Sequence, residues 1–204
     1  MRIIYYMSVL AAMFMLVQGC NGGASVEREL HLPELQEGDI VFRKGGSVVS
    51  HMVLYADRGG KYSHIGVVVV KDGEFMVVHA VPGEPDFEGD TDRVKIESVD
   101  SFFDEERASS GAVMRPLVGA DTLAEVAGKA LELAKRKVLF DHNYDLEDTT
   151  KLYCTELVDF VFRFYGMDLA EGRITHINIP GMVGDYLLPS DIYNSRKLAT
   201  VFCF

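Results

Sequence analysis

Hydrophobic positions follow two periodicities along the chain, and together they predict a domain of short strands and helices. Strand-like alternation or continuous apolar runs predict six strands. These fall at residues 40–43, 65–70, 75–80, 94–97, 112–117 and 199–202. Asp72-Gly73 separates the second run from the third and is a strong signal for a two-residue hairpin turn. We therefore expect this hairpin at the centre of an antiparallel sheet.

Helical spacing predicts three longer helices, at 47–57, 123–138 and 154–165, and a short one at 98–106. The second carries an apolar stripe and ends in basic Lys135, Arg136 and Lys137, which suit the C-terminal end of a helix dipole. The third is strongly apolar and stops at Gly166. After it, Pro180-Gly181 and Pro189 predict a loop-rich remainder. The pattern predicts an α+β fold in which the sheet packs against helices.

The N-terminus has the features of an export signal. Arg2 precedes an apolar stretch over residues 3–17, shorter than the roughly 20 residues that a membrane span needs. The next residues, Gln18-Gly19-Cys20, resemble a bacterial lipoprotein box, in which the cysteine carries the lipid. We expect a signal peptide and lipobox at 1–20, a tether at 21–34 and a catalytic domain at 35–204. The protein would then be exported to the cell envelope and anchored to a membrane through Cys20. An ordinary signal peptide, with Cys20 removed or free, is the alternative.

Composition limits the classes of partner and cofactor. The chain has 204 residues, 48% hydrophobic content and a net charge of -11, which disfavours nucleic acid and anionic membranes as partners of a basic patch. Three cysteines form no disulfide framework, and no metal-binding spacing occurs, so we expect neither a metal nor another cofactor. We expect Cys203 to be buried on the last strand, while a bridge to Cys154 stays open. The sequence leaves the oligomeric state open.

Cys154 and His64 are the residues most suited to chemistry. Cys154 begins a predicted helix, and His64 begins a predicted strand too apolar to bury an unpartnered imidazole cheaply. A helix N-terminus and a nearby imidazole both lower the pKa of a thiol, which acts as a nucleophile only when ionised. The hairpin turn pairs Lys71 with Glu74, which puts His79 on the same face as His64, diagonally across the two strands. The three residues therefore form a candidate nucleophile, base and orienting group.

Several motifs together resemble a known family over nearly all of the predicted mature chain. They are Gly38-Asp39-Ile40-Val41-Phe42, Tyr62-Ser63-His64-Ile65-Gly66, Val78-His79-Ala80, Tyr144-Asp145, Tyr153-Cys154-Thr155-Glu156-Leu157 and Pro189-Ser190-Asp191-Ile192-Tyr193. The chain resembles the circularly permuted papain-like amidases, in the YiiX/YaeF-type branch of the NlpC superfamily. In that branch the histidine precedes the cysteine, as it does here.

The resemblance implies a permuted papain-like fold and a division of roles within the site. Cys154 would be the nucleophile, His64 the general base and acid, and His79 the residue that orients His64. The N–H of Cys154 would stabilise an oxyanion. Tyr153 and Tyr62 are candidates for substrate binding, although buried aromatic residues also fit the core. Glu156 is another candidate, although an acid in the first turn also complements the helix dipole.

The function expected from these roles is hydrolysis of an amide through a thioester acyl-enzyme, with cell-wall peptide as the leading substrate. A lipid-directed thiol acyltransferase or esterase is an alternative, because a histidine at the third position also resembles the lecithin retinol acyltransferase-like relatives. The other alternative is a non-catalytic module that binds lipid or peptide. The acidic residues between 141 and 148 are expected to form a solvated loop.

Overall fold

A computed structural model describes residues 32–204, which form one compact unit. The predicted signal peptide, the lipid attachment at Cys20 and the tether up to residue 31 lie outside the described residues. Within residues 32–204, no helix has the length and apolar character required to span a membrane.

Six strands form one sheet in which every neighbouring pair is antiparallel. In chain order they are β1 (Ile40–Lys44), β2 (His64–Lys71), β3 (Glu74–Val81), β4 (Arg93–Ser98), β5 (Ser110–Pro116) and β8 (Leu198–Cys203). Their order across the sheet is β4-β3-β2-β1-β5-β8. Lys71 pairs with Glu74 across the Asp72-Gly73 turn, as the two-residue hairpin requires. The predicted antiparallel sheet is confirmed, but its central pair is β2–β1, so the β2–β3 hairpin lies inside the sheet and off its centre.

Helices cover the sheet, which confirms the predicted α+β class. They are α1 (Val48–Ala56), α2 (Val99–Phe102), α3 (Ala120–Lys135), α4 (Cys154–Phe164) and α5 (Pro189–Tyr193). The apolar sides of α3 and α4 pack on one face of β2, where Val126, Leu157 and Val161 join Ile65 and Val67 in a fully buried core. This packing holds the first residue of α4 against the start of β2.

The segment after Gly166 is more regular than its sequence suggested. Residues Thr175–Ile179 form β6 and residues Met182–Tyr186 form β7, which pair as a separate two-stranded sheet. Gly181 closes the turn with a φ of 86°, which favours glycine. The expectation of a loop-rich remainder was therefore wrong. The hairpin is held by tertiary contacts, because Ile177 packs against Ala56 of α1 and Leu188.

The two described cysteines are both free thiols. Cys203 lies on the terminal strand as predicted, but its side chain is exposed, so the expectation that it is buried was wrong. Within residues 32–204 the last strand forms the edge of the sheet, and it pairs with β5 on its inner side.

Candidate active site

Cys154 is the first residue of α4 and its side chain is half-buried. The backbone N–H of Ile65, the residue after His64, is close enough to the Cys154 sulfur to favour the ionised form and so to lower the pKa of the thiol. The Thr155 hydroxyl lies 3.7 Å from the same sulfur. The thiol therefore sits between a helix N-terminus and the start of β2.

His64 and His79 form the hydrogen-bonded pair that the hairpin register predicted. His64 Nε2 lies 2.8 Å from His79 Nδ1, and both rings contact Phe102 of α2 edge-on or tilted. Gly66 makes this approach feasible, because a Cβ there would lie 3.2 Å from the His79 Cβ and 2.6 Å from Val77 Cγ1. The structure thus joins two of the predicted catalytic residues directly.

Glu97 extends this pair and was not anticipated from the sequence. Its Oε1 lies 3.0 Å from His79 Nε2, while Arg107 Nη1 approaches the other carboxylate oxygen at 2.6 Å. Among the described residues His79 Nε2 has no hydrogen-bond partner, so the Glu97 carboxylate acts on it as a nearby charge. That charge favours a proton on Nε2, in which case Nδ1 accepts the Nε2–H of His64. The Nδ1 of His64 then carries the lone pair, and it is the ring nitrogen available to a thiol.

A small cavity has both His64 and Cys154 in its wall, together with Ser63 and Thr155. The rest of the lining is apolar or aromatic and includes Val53, Phe140, Tyr153, Tyr186 and Leu188. Among the residues that the structure describes, no Asp, Glu, Lys or Arg side chain lines it. The cavity can therefore admit a small or apolar acyl group beside the thiol.

Comparison with known proteins identifies a solved structure with a similar fold. No protein-family model matches the chain, and no curated protein matches its sequence. Among solved structures, the metalloprotein YiiX from Escherichia coli O157:H7 superimposes with a TM-score of 0.64 at 20% identity, covering 82% of this chain and 96% of YiiX. The fold is YiiX-like. At this identity the likeness concerns the fold alone.

Electrostatics within this YiiX-like fold differ from the sequence-based expectation for the thiol. Burial raises the pKa of Cys154, although hydrogen bonds from Thr155 and the Ile65 N–H act in the opposite direction. Burial and the nearby Arg43 guanidinium lower the pKa of His64 well below its usual value, and the same causes act on His79. The expected depression of the thiol pKa is therefore wrong, because desolvation outweighs the helix terminus. At neutral pH the cavity wall therefore holds a neutral thiol and a neutral imidazole.

The two tyrosines predicted to bind substrate occupy different places. Tyr153 lines the cavity, and its hydroxyl accepts a hydrogen bond from the Leu187 N–H at 3.0 Å. Tyr62 is not among the described residues that line this cavity, and its buried ring packs instead against Phe42 and Tyr193. The structure brings only Tyr153 to the thiol.

An acidic loop supplies another wall of the cavity. Asp141 is fully buried, and its carboxylate accepts N–H groups from Asn143 and Asp145, so it does not share the solvated character expected for this loop. Between them, Tyr144 adopts a φ of 55°, which is uncommon for a non-glycine residue, and lines the cavity. Its motif was recognised in the sequence, but only the folded loop shows that it faces the thiol.

Glu156 caps the helix that carries Cys154. Its side chain is buried, and Oε2 accepts the Tyr153 N–H at 3.1 Å, which satisfies one of the free donors at the helix start. Glu156 lies outside the cavity lining formed by the described residues. Burial, opposed by this hydrogen bond, raises the pKa of Glu156 to about 8. The contacts support the helix-capping interpretation of this residue.

The raised pKa of Glu156 predicts a pH-dependent cost to folding. The folded state keeps the proton above the ordinary value of 4.5, whereas the unfolded chain loses it. The protonated Glu156 side chain therefore stabilises the folded state fully below about pH 4.5. This stabilisation is lost as the pH rises through about 8. Glu156→Gln keeps the acceptor oxygen but cannot ionise. We expect this variant to exceed the wild type in unfolding free energy at pH 9 by on the order of 2–4 kcal/mol.

Urea unfolding at pH 5, 7 and 9 measures this difference, with Glu125→Gln on the exposed side of α3 as the control. The Glu156→Gln advantage should grow with pH, while the control should follow the wild type. Parallel curves for all three proteins would contradict the assignment.

Proposed function

We propose that this protein is a cysteine-dependent hydrolase of the permuted papain-like type. The proposal rests on a series of side-chain contacts that leads from the cavity wall into the interior of the protein. Cys154 and His64 share the cavity wall, His64 bonds to His79 at 2.8 Å, and Glu97 lies 3.0 Å from the other nitrogen of His79. This sequence of groups provides a nucleophile, a base and a fixed tautomer for the base.

The proposed reaction begins from the neutral pair. His64 Nδ1 accepts the thiol proton as the Cys154 sulfur attacks the substrate carbonyl, and the N–H at the start of α4 stabilises the oxyanion. The imidazolium then returns the proton to the leaving amine or alcohol, which leaves a thioester on Cys154. Water, deprotonated by His64, attacks the thioester and releases the acid and the thiol. In this proposal His79 accepts the Nε2–H of His64 throughout, and the negative charge of Glu97 favours a proton on His79 Nε2.

Two substrate classes fit this chemistry. Cell-wall peptide follows from the resemblance to permuted papain-like amidases and from the predicted export signal with its lipid attachment at Cys20. The apolar and aromatic lining that the described residues give the cavity suits the second candidate, a fatty-acyl ester or amide of which only the part next to the carbonyl enters this small cavity. In that case the enzyme is a lipid-directed esterase or acyltransferase.

Metal chemistry does not enter this proposal. YiiX is described as a metalloprotein. Within residues 32–204 of the present chain, no group of three or more His, Cys, Asp and Glu side chains is arranged to hold a metal ion. The residues near Cys154 do not fit such a group, and we derive no step through one.

Trapping of the acyl-enzyme tests the proposed function. We expect the purified full chain, incubated with a cell-wall peptide amide or a fatty-acyl ester, to gain the acyl mass on the peptide that contains Cys154. Neutral hydroxylamine should remove that mass, because it cleaves thioesters. Cys154→Ala should lose both the adduct and turnover, because it lacks the nucleophile.

Cys203 provides the matched control, because it is a free and exposed thiol in the same chain. Cys203→Ala should retain the adduct and the turnover of the wild type. Absence of an adduct with both substrates, together with equal ligand binding by wild type and Cys154→Ala, would overturn the hydrolase proposal and favour the binding module.

A further inference from the structure

Helix α1 exposes an unusually apolar side to solvent. The exposed fractions are 77% for Val48, 49% for Met52 and 72% for Tyr55, and Val49 beside them is also exposed. Positions 48, 52 and 55 follow helical spacing and share one side of the helix with His51, which is also exposed. Scattered apolar side chains are normal on a protein surface, but a contiguous apolar face indicates a site of interaction.

This face adjoins the candidate active site. Val49 and Val53 of α1 line the cavity that contains Cys154. The other end of α1 is fixed to the β6–β7 hairpin, because Ala56 packs against Ile177 and Leu188. The helix is therefore a fixed support whose outer apolar surface continues into the cavity.

The segment of the chain that contains α1 carries a charge opposite to that of the protein as a whole. The net charge is -11, yet Lys44, Arg58 and Lys61 near the helix ends are all exposed. The only acidic residue in the sequence between Arg43 and Lys71 is Asp57, which is buried and accepts hydrogen bonds from Ser190. An apolar face with cations at its edges matches the interface of an anionic bilayer, which presents acyl chains below negative head groups.

We propose that α1 docks this protein on an anionic lipid bilayer. Val48, Met52 and Tyr55 enter between the head groups, while Lys44, Arg58 and Lys61 contact the lipid phosphates. The predicted lipid attachment at Cys20 is consistent with this placement, because it would hold the domain near a membrane surface. Docking places the mouth of the cavity at the lipid surface. That last consequence for catalysis rests on the proposed hydrolase function, whereas docking itself does not.

Tryptophan fluorescence tests the docking in the full chain. The sequence contains no Trp, so Tyr55→Trp introduces a single reporter on the α1 face. Phe164→Trp is the matched control, because Phe164 is a similarly exposed aromatic residue on α4. With vesicles of phosphatidylcholine and phosphatidylglycerol, we expect the Tyr55→Trp emission to shift to the blue and to be quenched by brominated lipid. The Phe164→Trp emission should change little, whatever the N-terminal segment does.

Two further variants separate the effect of the surface cations on docking from any effect of catalysis. Combined Lys44→Glu, Arg58→Glu and Lys61→Glu changes in the Tyr55→Trp chain should reduce quenching by the anionic vesicles. Cys154→Ala in the same chain should leave the quenching unchanged, so that failure of the hydrolase proposal does not affect this result.

Three outcomes would overturn the proposal. The first is equal quenching of the tryptophan reporters in the Tyr55→Trp and Phe164→Trp chains, and the second is a lack of quenching in both chains. The third is a concentration-dependent blue shift of the Tyr55→Trp emission without vesicles, because it would mean that a second copy of the chain covers α1.

Discussion

His64→Ala is expected to lower the turnover of this protein by about 10²–10⁴-fold, which is the usual contribution of a general acid–base group. We expect turnover to depend strongly on His64 because burial raises the pKa of Cys154. The thiol is therefore not ionised before the reaction begins. Attack therefore requires removal of a proton during the reaction, and His64 is the imidazole that shares the cavity with the sulfur. Initial rates of hydrolysis and rates of thiol alkylation measure the loss.

His176→Ala is the matched control for this change. His176 is two-thirds exposed on β6 and pairs with Asp185 at 2.7 Å, away from the His64–His79 pair. It should retain the wild-type rate. Alkylation of Cys203 within the His64→Ala variant should also be unchanged, which shows that the reagent is equally active, and an unchanged circular dichroism spectrum shows that the chain has not unfolded. Wild-type turnover in His64→Ala would remove this residue from the mechanism.

Glu97→Gln is expected to lower turnover by about 10–100-fold while the protein remains folded, because the substitution removes the charge that fixes the tautomer of His79. Arg43, Lys95 and Arg107 surround the two histidines, and each of them lowers the pKa of both rings. Glu97 is an anion among these cations, and its loss disfavours the imidazolium that forms on His64 during attack. The pH profile of kcat should therefore shift along with its maximum value.

Glu84→Gln isolates that effect from a general loss of charge. Glu84 accepts hydrogen bonds from Arg43 and Arg107, as a second acid in the same cluster, whereas the described ion pair of His79 is with Glu97. Both variants should lose unfolding free energy, and Glu84→Gln should lose less because Glu84 and its partner Arg107 are partly exposed. Only Glu97→Gln should alter the pH profile of kcat. Equal profiles in the two variants would reduce Glu97 to a structural partner of the arginines.

A neutral resting pair has a consequence for how the site is used. In the proposed mechanism the thiol becomes a strong nucleophile only when a substrate carbonyl is in place and His64 can accept its proton. An unoccupied site is thus less exposed to alkylation or oxidation than one with a preformed thiolate. The predicted dependence of alkylation on His64 follows from the same arrangement.

Local sequence patterns were sufficient to predict the register of the β2–β3 hairpin and the start of α4. The Asp72-Gly73 turn and the two-residue period of strands placed His64 and His79 on one face, and their 2.8 Å contact agrees with that register. Cys154 begins α4 because its helix starts after a residue, Tyr153, whose N–H is capped by Glu156, a contact within one turn. These features depend on residues that are close in sequence, so the sequence alone determines them.

Contacts between segments that are far apart in sequence decided the features that local patterns could not predict. Glu97 reaches His79 only through the β3–β4 register, and the connection over residues 82–92 is too long to specify that register locally. Tyr62 faces the core because Tyr193, far along the chain, packs against it. The direction of the thiol pKa shift and the outward orientation of α1 likewise depend on which surfaces the assembled domain covers. Burial is a property of the whole fold, and periodicity within one segment indicates which side chains share a face but not what packs against that face.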